Sequence, residues 1–191
     1  LSSMIKFMGS GTQKIESDLA KFFPDTKIFR LDKDITELKG EFERILEEFN
    51  KEKNAILIGT RMIEKILETV NVGLVAVASA DSMLSSPDFR SAEETFRMIS
   101  DICGMSKRIK KPGEALIQTF NTEHYAISLA AKNDQAGFYE KEISQRKAAG
   151  YPPFGSLINI FLYGTDDACI QFIGENIHEK LKPLPEDVKV L

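Results

Sequence analysis

The spacing of apolar residues sets the order of elements along this chain. Ile15, Leu19, Phe22 and Phe23 recur at helical intervals. Ser10-Gly11-Thr12-Gln13 precedes them as a hydroxyl followed three residues later by an amide, the pattern of a capping box. Together they predict a helix over 9–23, stopped by Pro24-Asp25. Lys27 to Leu31 predicts a short strand. Leu38, Phe42, Ile45, Leu46 and Phe49 form a 3.6-period stripe and predict an amphipathic helix over 37–50. Ala55 to Gly59 predicts a buried strand, and 61–69 a short helix. Val72 to Ser79 is almost wholly apolar, as a central parallel strand covered on both faces would be. A helix follows over 91–103, with Ala92, Phe96, Ile99 and Cys103 on one face. A basic loop over 107–113, a strand over 114–119 and helical sequence over 123–149 complete the series.

Strands that alternate with helices across short links predict an α/β domain, a parallel sheet with helices on both faces. Tyr151-Pro152-Pro153-Phe154-Gly155 interrupts that rhythm and marks a boundary. Beyond it, Leu157 to Tyr163 reads as a strand, 166–181 as a helix and Val188 to Leu191 as the start of another strand. The expected organisation is therefore one α/β domain over 1–150 and the start of an α+β piece over 151–191.

Composition narrows the function classes. The 191 residues carry a net charge of −4, so nucleic-acid binding must rest on local groups rather than on the global field. No run of 18 apolar residues occurs, no signal peptide is readable, and no membrane partner is expected. Cys103 and Cys169 are the only cysteines, far apart, which argues against a zinc site and fits a reducing cytoplasm.

Few positions carry recognisable chemistry. Gly9-Ser10-Gly11-Thr12 is either a glycine turn into a capped helix or an anion-binding loop that presents backbone N–H groups. It lacks the Lys-Ser or Lys-Thr of a Walker A loop, so the chain by itself does not cradle a triphosphate. Gly59-Thr60 ends a buried strand, where a hydroxyl can reach a ligand crevice or simply close a turn. Lys107, Arg108, Lys110 and Lys111 are either a solvated basic loop or a set of phosphate contacts. His124 and His178 stand alone and read as structural or surface residues. Asp81, after the 72–79 strand, is expected at the same carboxyl rim as Gly11, Thr12, Gly59 and Thr60.

In order, the chain carries Gly9-Ser10-Gly11-Thr12-Gln13, Arg30-Leu31-Asp32-Lys33-Asp34, Gly59-Thr60-Arg61-Met62, Asp88-Phe89-Arg90 with Glu93, Gly104 with Arg108, Lys111-Pro112-Gly113-Glu114, Ile117-Gln118-Thr119, Glu123-His124 and Tyr151-Pro152-Pro153-Phe154. This series resembles the second, RecA-like motor lobe of the PriA family of replication-restart helicases, and the resemblance covers nearly the whole chain. It implies a fragment: a motor lobe incomplete at its N-terminus over 1–150, then the start of the C-terminal domain. It implies a parent that is an ATP-dependent 3′–5′ DNA helicase using ATP and magnesium, with zinc bound by cysteines this chain does not contain. The implied partners are forked and single-stranded DNA, other primosome proteins and the first helicase lobe.

Residue by residue, the resemblance assigns an arginine finger to Arg108 and nucleotide contacts to Gly104 and Glu68. It assigns DNA contacts to Gly11, Thr12, Gly59, Thr60, Lys107, Lys110 and Lys111. No metal ligand follows from it. The chain departs from the family at several places. Asp101 stands for a Gln, Met105 for the first Arg and Lys107 for a Gly of the finger motif. Ile66, Glu68, Thr69 and Val70 replace Gly, Asp, Phe and Pro after Gly59, and Glu94 stands where an Arg is usual. These departures leave a second expectation open, a diverged, non-catalytic DNA- or protein-interaction module that keeps the helicase-lobe fold.

Overall fold

A computed structural model describes residues 11–32, 40–66, 69–70, 72–106 and 113–182. The chain falls into two compact units, 1–145 and 146–191.

In the first unit, helix α1 (Thr12–Phe22) leads into strand β1 (Lys27–Leu31). Helix α2 (Glu41–Lys51) then precedes strand β2 (Ala55–Gly59). β1 and β2 pair in parallel, with Lys27 opposite Ala55 and Leu31 opposite Gly59. Phe29, Leu31, Ile45 and Phe49 are buried between this pair and α2, and the Phe29 and Phe49 rings meet edge to face at 5.8 Å. Helix α2 starts at Gly40, whose φ of +86° is a left-handed conformation that glycine adopts without a steric penalty. Leu38, the first residue of the predicted stripe, lies outside the described residues.

A 3-10 helix over Arg61–Ile66 leads towards β3 (Leu74–Val77) and the short helix α3 (Asp81–Leu84). Helix α4 (Ser91–Ser106) and strand β4 (Glu114–Ile117) follow. β3 and β4 also pair in parallel, Leu74 opposite Glu114 and Val77 opposite Ile117. Phe96, Ile99 and Ile102 of α4 are buried with Ala126, Ile127 and Ala130 of α5 (Tyr125–Ala131) and with Phe138 of α6 (Gln135–Ala149). Ile63 packs against both clusters and joins the two layers.

The α/β class holds, with small parallel sheets. Three expectations need correction. The described strands form two parallel pairs rather than one continuous sheet. Among the described residues the apolar run at 72–79 is covered on one face only. Val75 and Val77 point into the core, while Leu74 is 54% and Leu116 59% exposed on the other side of the pair. In helix α1 the stripe does not extend to Phe22 and Phe23, whose rings are exposed at the helix end.

The helical sequence over 123–149 is two helices. Asn133 takes φ +56°, and the Asp134 carboxylate accepts from the Gly137 N–H at 2.9 Å. Asn tolerates the left-handed region and Asp caps the next helix, so the pair breaks the rod. Tyr125 then reaches across to α6, donating its hydroxyl to the buried Glu142 carboxylate at 2.6 Å.

In the second unit, Gly150 at φ +69° ends α6, and the Tyr151 N–H donates back to the Arg146 carbonyl at 2.8 Å. The predicted strand at 157–163 is not one. It runs as irregular chain with no ladder partner among the described residues, leaving Ile158 87% and Tyr163 88% exposed. A strand is stabilised by its neighbour's hydrogen bonds, and alternation in sequence cannot provide one. Helix α7 (Asp167–Leu181) is capped by Asp166, whose carboxylate accepts from the Ala168 and Cys169 N–H groups at 3.0 and 3.3 Å. Val188 to Leu191 lies outside the described residues.

Candidate nucleic-acid interface

The best-defined polar site sits where β1 ends and α1 begins. Gly11 caps α1 but supplies no side chain for its N–H groups, and the first turn holds no acidic residue. Ser10, which the predicted capping box requires, lies outside the described residues. A carboxylate from elsewhere takes that place. Asp32, directly after β1 and only 7% exposed, accepts the Thr12 hydroxyl at 2.8 Å. Its negative charge therefore sits at the positive end of the α1 dipole.

The same Asp32 oxygen is 3.0 Å from Nε of Arg30. That N–H makes no directed hydrogen bond, so the contact is an ion pair rather than an aligned bond. Arg30 donates from Nη1 to Glu16 at 3.1 Å. Among the described residues the cluster sets the Asp32 and Glu16 carboxylates against the Arg30 guanidinium, and the Thr12 hydroxyl is already donated. Contact with a phosphate at this loop falls to backbone N–H groups, since the first ones of a helix have no intrahelical partner.

Gly59 lies beside this cluster, opposite Leu31. A Cβ there would run into the Leu31 carbonyl oxygen and the Ile63 side chain. The glycine is thus demanded by close packing of backbone. Thr60 is exposed, and its carbonyl accepts from the Ile63 N–H at 3.0 Å to open the 3-10 helix. The structure therefore brings Gly11, Thr12 and Gly59 together at the carboxyl end of the β1–β2 pair, with Thr60 next in sequence.

A second polar knot closes the carboxyl end of the β3–β4 pair. Asp81 accepts from the Thr119 hydroxyl at 2.9 Å and from the Phe120 N–H at 3.0 Å. Burial by itself raises the Asp81 pKa, but these two donors outweigh it and hold the carboxyl below its ordinary value. Asp88 is held at about 2 by the side chain and backbone N–H of Arg90. Arg61 reaches Glu94 at 2.8 Å in an exposed pair.

Gly104 lies inside α4, which continues to Ser106 rather than ending at 103, and a Cβ at Gly104 would meet nothing within 4 Å. Arg108, Lys107, Lys110 and Lys111 lie outside the described residues, as does Glu68. Among the described residues no three His, Cys, Asp or Glu side chains gather to hold a metal. No described helix is long and apolar enough to cross a membrane.

His124 is a helix cap. Its Nδ1 accepts from the Ala126 N–H at 3.2 Å and its ring stacks on Tyr125. Desolvation lowers its pKa against a small opposing pull from Glu142. Asp32 stands in the motif series, but the sequence assigned it no contact. It was visible as the acid directly after a buried strand, but its partner Thr12 is 20 residues away and is reached only through the fold.

No protein-family profile matches the chain. Individual proteins do. Replication restart protein PriA of Bacillus subtilis (strain 168) is 40% identical over 191 residues, all of this chain and 24% of the relative. PriA of Chlamydia muridarum is 41% identical over 181 residues, 93% of this chain and 24% of the relative. PriA of Thermotoga maritima is 33% identical over 182 residues, 95% of this chain and 24% of the relative. The chain spans about a quarter of the length of these curated relatives. Across its whole length it matches one segment of replication restart protein PriA, and the family resemblance carried by its ordered motifs holds.

Proposed function

We propose that this chain serves as the ATP-coupling and DNA-tracking lobe of a cytoplasmic, ATP-dependent 3′–5′ DNA helicase of replication restart, and is inactive alone. One observation carries the reading: a match to PriA along the full chain, together with Gly11-Thr12 and Gly59-Thr60 falling at the carboxyl end of one parallel strand pair. In open α/β sheets that end faces the ligand. On this reading the two strand pairs belong to one RecA-like lobe, and residues from 151 onward begin a further domain. DNA contacts come from Gly11, Thr12, Gly59, Thr60, Lys107, Lys110 and Lys111. Arg108, with Gly104 and Glu68, faces a nucleotide held by the first lobe, where an arginine finger is worth roughly 10³–10⁵ in rate. The other partners are the remaining primosome proteins.

The test is a pair of assays on the pure chain. DNA-stimulated ATP hydrolysis should be absent, because the triphosphate cradle belongs to the other lobe. Single-strand binding should be weak and fall with salt, with a slope of about −0.7 per phosphate contact. Replacing Lys107, Arg108, Lys110 and Lys111 with Ala should flatten that slope. Turnover abolished by Arg108→Ala would refute inactivity alone, and equal salt slopes would remove the basic loop from the interface.

The exposed apolar residues of the second unit, with Ile158 and Tyr163 foremost, favour the alternative of a non-catalytic interaction module. In that case the salt slopes are equal and a partner protein protects 157–163 from proteolysis.

A further inference from the structure

We propose that Phe120 is a stacking platform for one unpaired base of a single-stranded nucleic acid, at the carboxyl end of the β3–β4 pair. The proposal rests on the DNA-tracking reading above and adds a site that the motif series does not contain.

Phe120 is 91% exposed, more than any other large apolar side chain described. Its backbone is not loose. The Phe120 N–H is donated to Asp81 Oδ2 at 3.0 Å and the Thr119 hydroxyl to Asp81 Oδ1 at 2.9 Å. The same Thr119 oxygen accepts from the Asn121 N–H at 3.0 Å. Just below, Gln118 bridges both strands, donating to the Val77 carbonyl at 2.9 Å and accepting from the Ala80 N–H at 3.1 Å. The ring therefore projects into water from a segment tied at three successive residues. An aromatic left in solvent forfeits its burial energy, and fixing its backbone removes the easiest way to hide it.

The surroundings indicate what it meets. Gln118, Asn121, Thr122 and Glu123, its neighbours in sequence, are exposed and polar, while the exposed Leu74 and Leu116 lie within strands β3 and β4 themselves. A planar ring held between polar neighbours in sequence matches the π-face of a single base, which stacks without regard to sequence. Its place at the carboxyl ends of two parallel strands is where ligands approach such sheets.

The chain contains no tryptophan, so Phe120→Trp makes a single-site reporter in the intact protein. Wild type, Phe120→Ala and Phe120→Trp are titrated with labelled oligothymidylate and with an abasic strand of the same length, across a salt series. The expected result has four parts. Phe120→Ala weakens binding of the base-bearing strand by about 5- to 150-fold. It leaves abasic binding unchanged, it leaves the salt slope unchanged, and the Trp variant retains affinity while its emission is quenched on binding. If wild type binds but Phe120→Ala binds equally well and Trp emission is unmoved, the platform is overturned and the DNA reading stands. If wild type binds neither strand at low salt, both fall. If Trp emission shifts with protein concentration without nucleic acid, Phe120 instead contacts a second copy, which also overturns the proposal.

Discussion

Replacing Asp32 tests whether the carboxylate after β1 does the work of a helix cap across 20 residues of chain. Thr12→Ala deletes one hydrogen bond to an ionised, buried acceptor, a bond of about 1.5–3 kcal/mol. The lower end applies, because Thr12 itself is only half-buried and the carboxylate keeps Arg30. Asp32→Ala removes that bond, a charge worth about 0.3–1 kcal/mol at the α1 N-terminus, and the partner of Arg30 Nε. Breaking a fully buried pair costs about 3–5 kcal/mol. Here Arg30 keeps Glu16 and some solvent, so about 2–3 kcal/mol is expected. In the double variant the shared bond is counted once, which gives a coupling of about 1–1.5 kcal/mol. The measurement is urea unfolding of wild type, both single variants and the double variant, read from midpoints at constant m. Thr12→Ser keeps the hydroxyl and should retain most of the stability. A coupling below about 0.3 kcal/mol, the usual error of additivity, would show that Asp32 and Thr12 do not act as a pair.

Gly59→Ala drives a Cβ into the Leu31 carbonyl and Ile63, and should cost about 1–3 kcal/mol, read as a lower urea midpoint; an unchanged midpoint would show that the two strand ends are further apart than described. The His124 pKa is lowered on folding, so its contribution is fully present above the unfolded value and is lost as pH falls through the folded one. Acid should therefore weaken the start of α5, and His124→Asn, a cap that does not titrate, should abolish that pH dependence in hydrogen exchange of the Ala126 amide.

The parts of the fold legible in sequence are those fixed by local periodicity. β2 was read at its observed bounds because it is a short apolar run ended by glycine, and β1, whose apolar Ile28, Phe29 and Leu31 lie between charged residues, was read at its bounds too. Helix α2 was read from a stripe whose members Ile45 and Phe49 are buried. What was not legible depends on partners distant in sequence. The apolar content of 72–79 gives no sign that one face lacks a covering layer among the described residues, and that of 157–163 gives none that its backbone lacks a neighbouring strand among them. The break at Asn133-Asp134 was local and readable, but apolar spacing on both sides concealed it. At the candidate site, Gly11, Thr12, Gly59 and Thr60 were named from the motifs. Asp32 was named with its motif but not as the acceptor of Thr12, because pairing Asp32 with α1 requires β1 to fold back beside the helix that precedes it.

The segment at 157–163 also bears on how this chain behaves as a solute. Ile158, Phe161 and Tyr163 face water beside a backbone with no ladder partner among the described residues, the surface from which one molecule templates another. Mutual repulsion opposes that contact, and the net charge of −4 is a thin reserve. Acidification protonates carboxylates and drains that reserve towards zero. Self-association should then begin in the second unit, through backbone ladders, while the first unit is still folded.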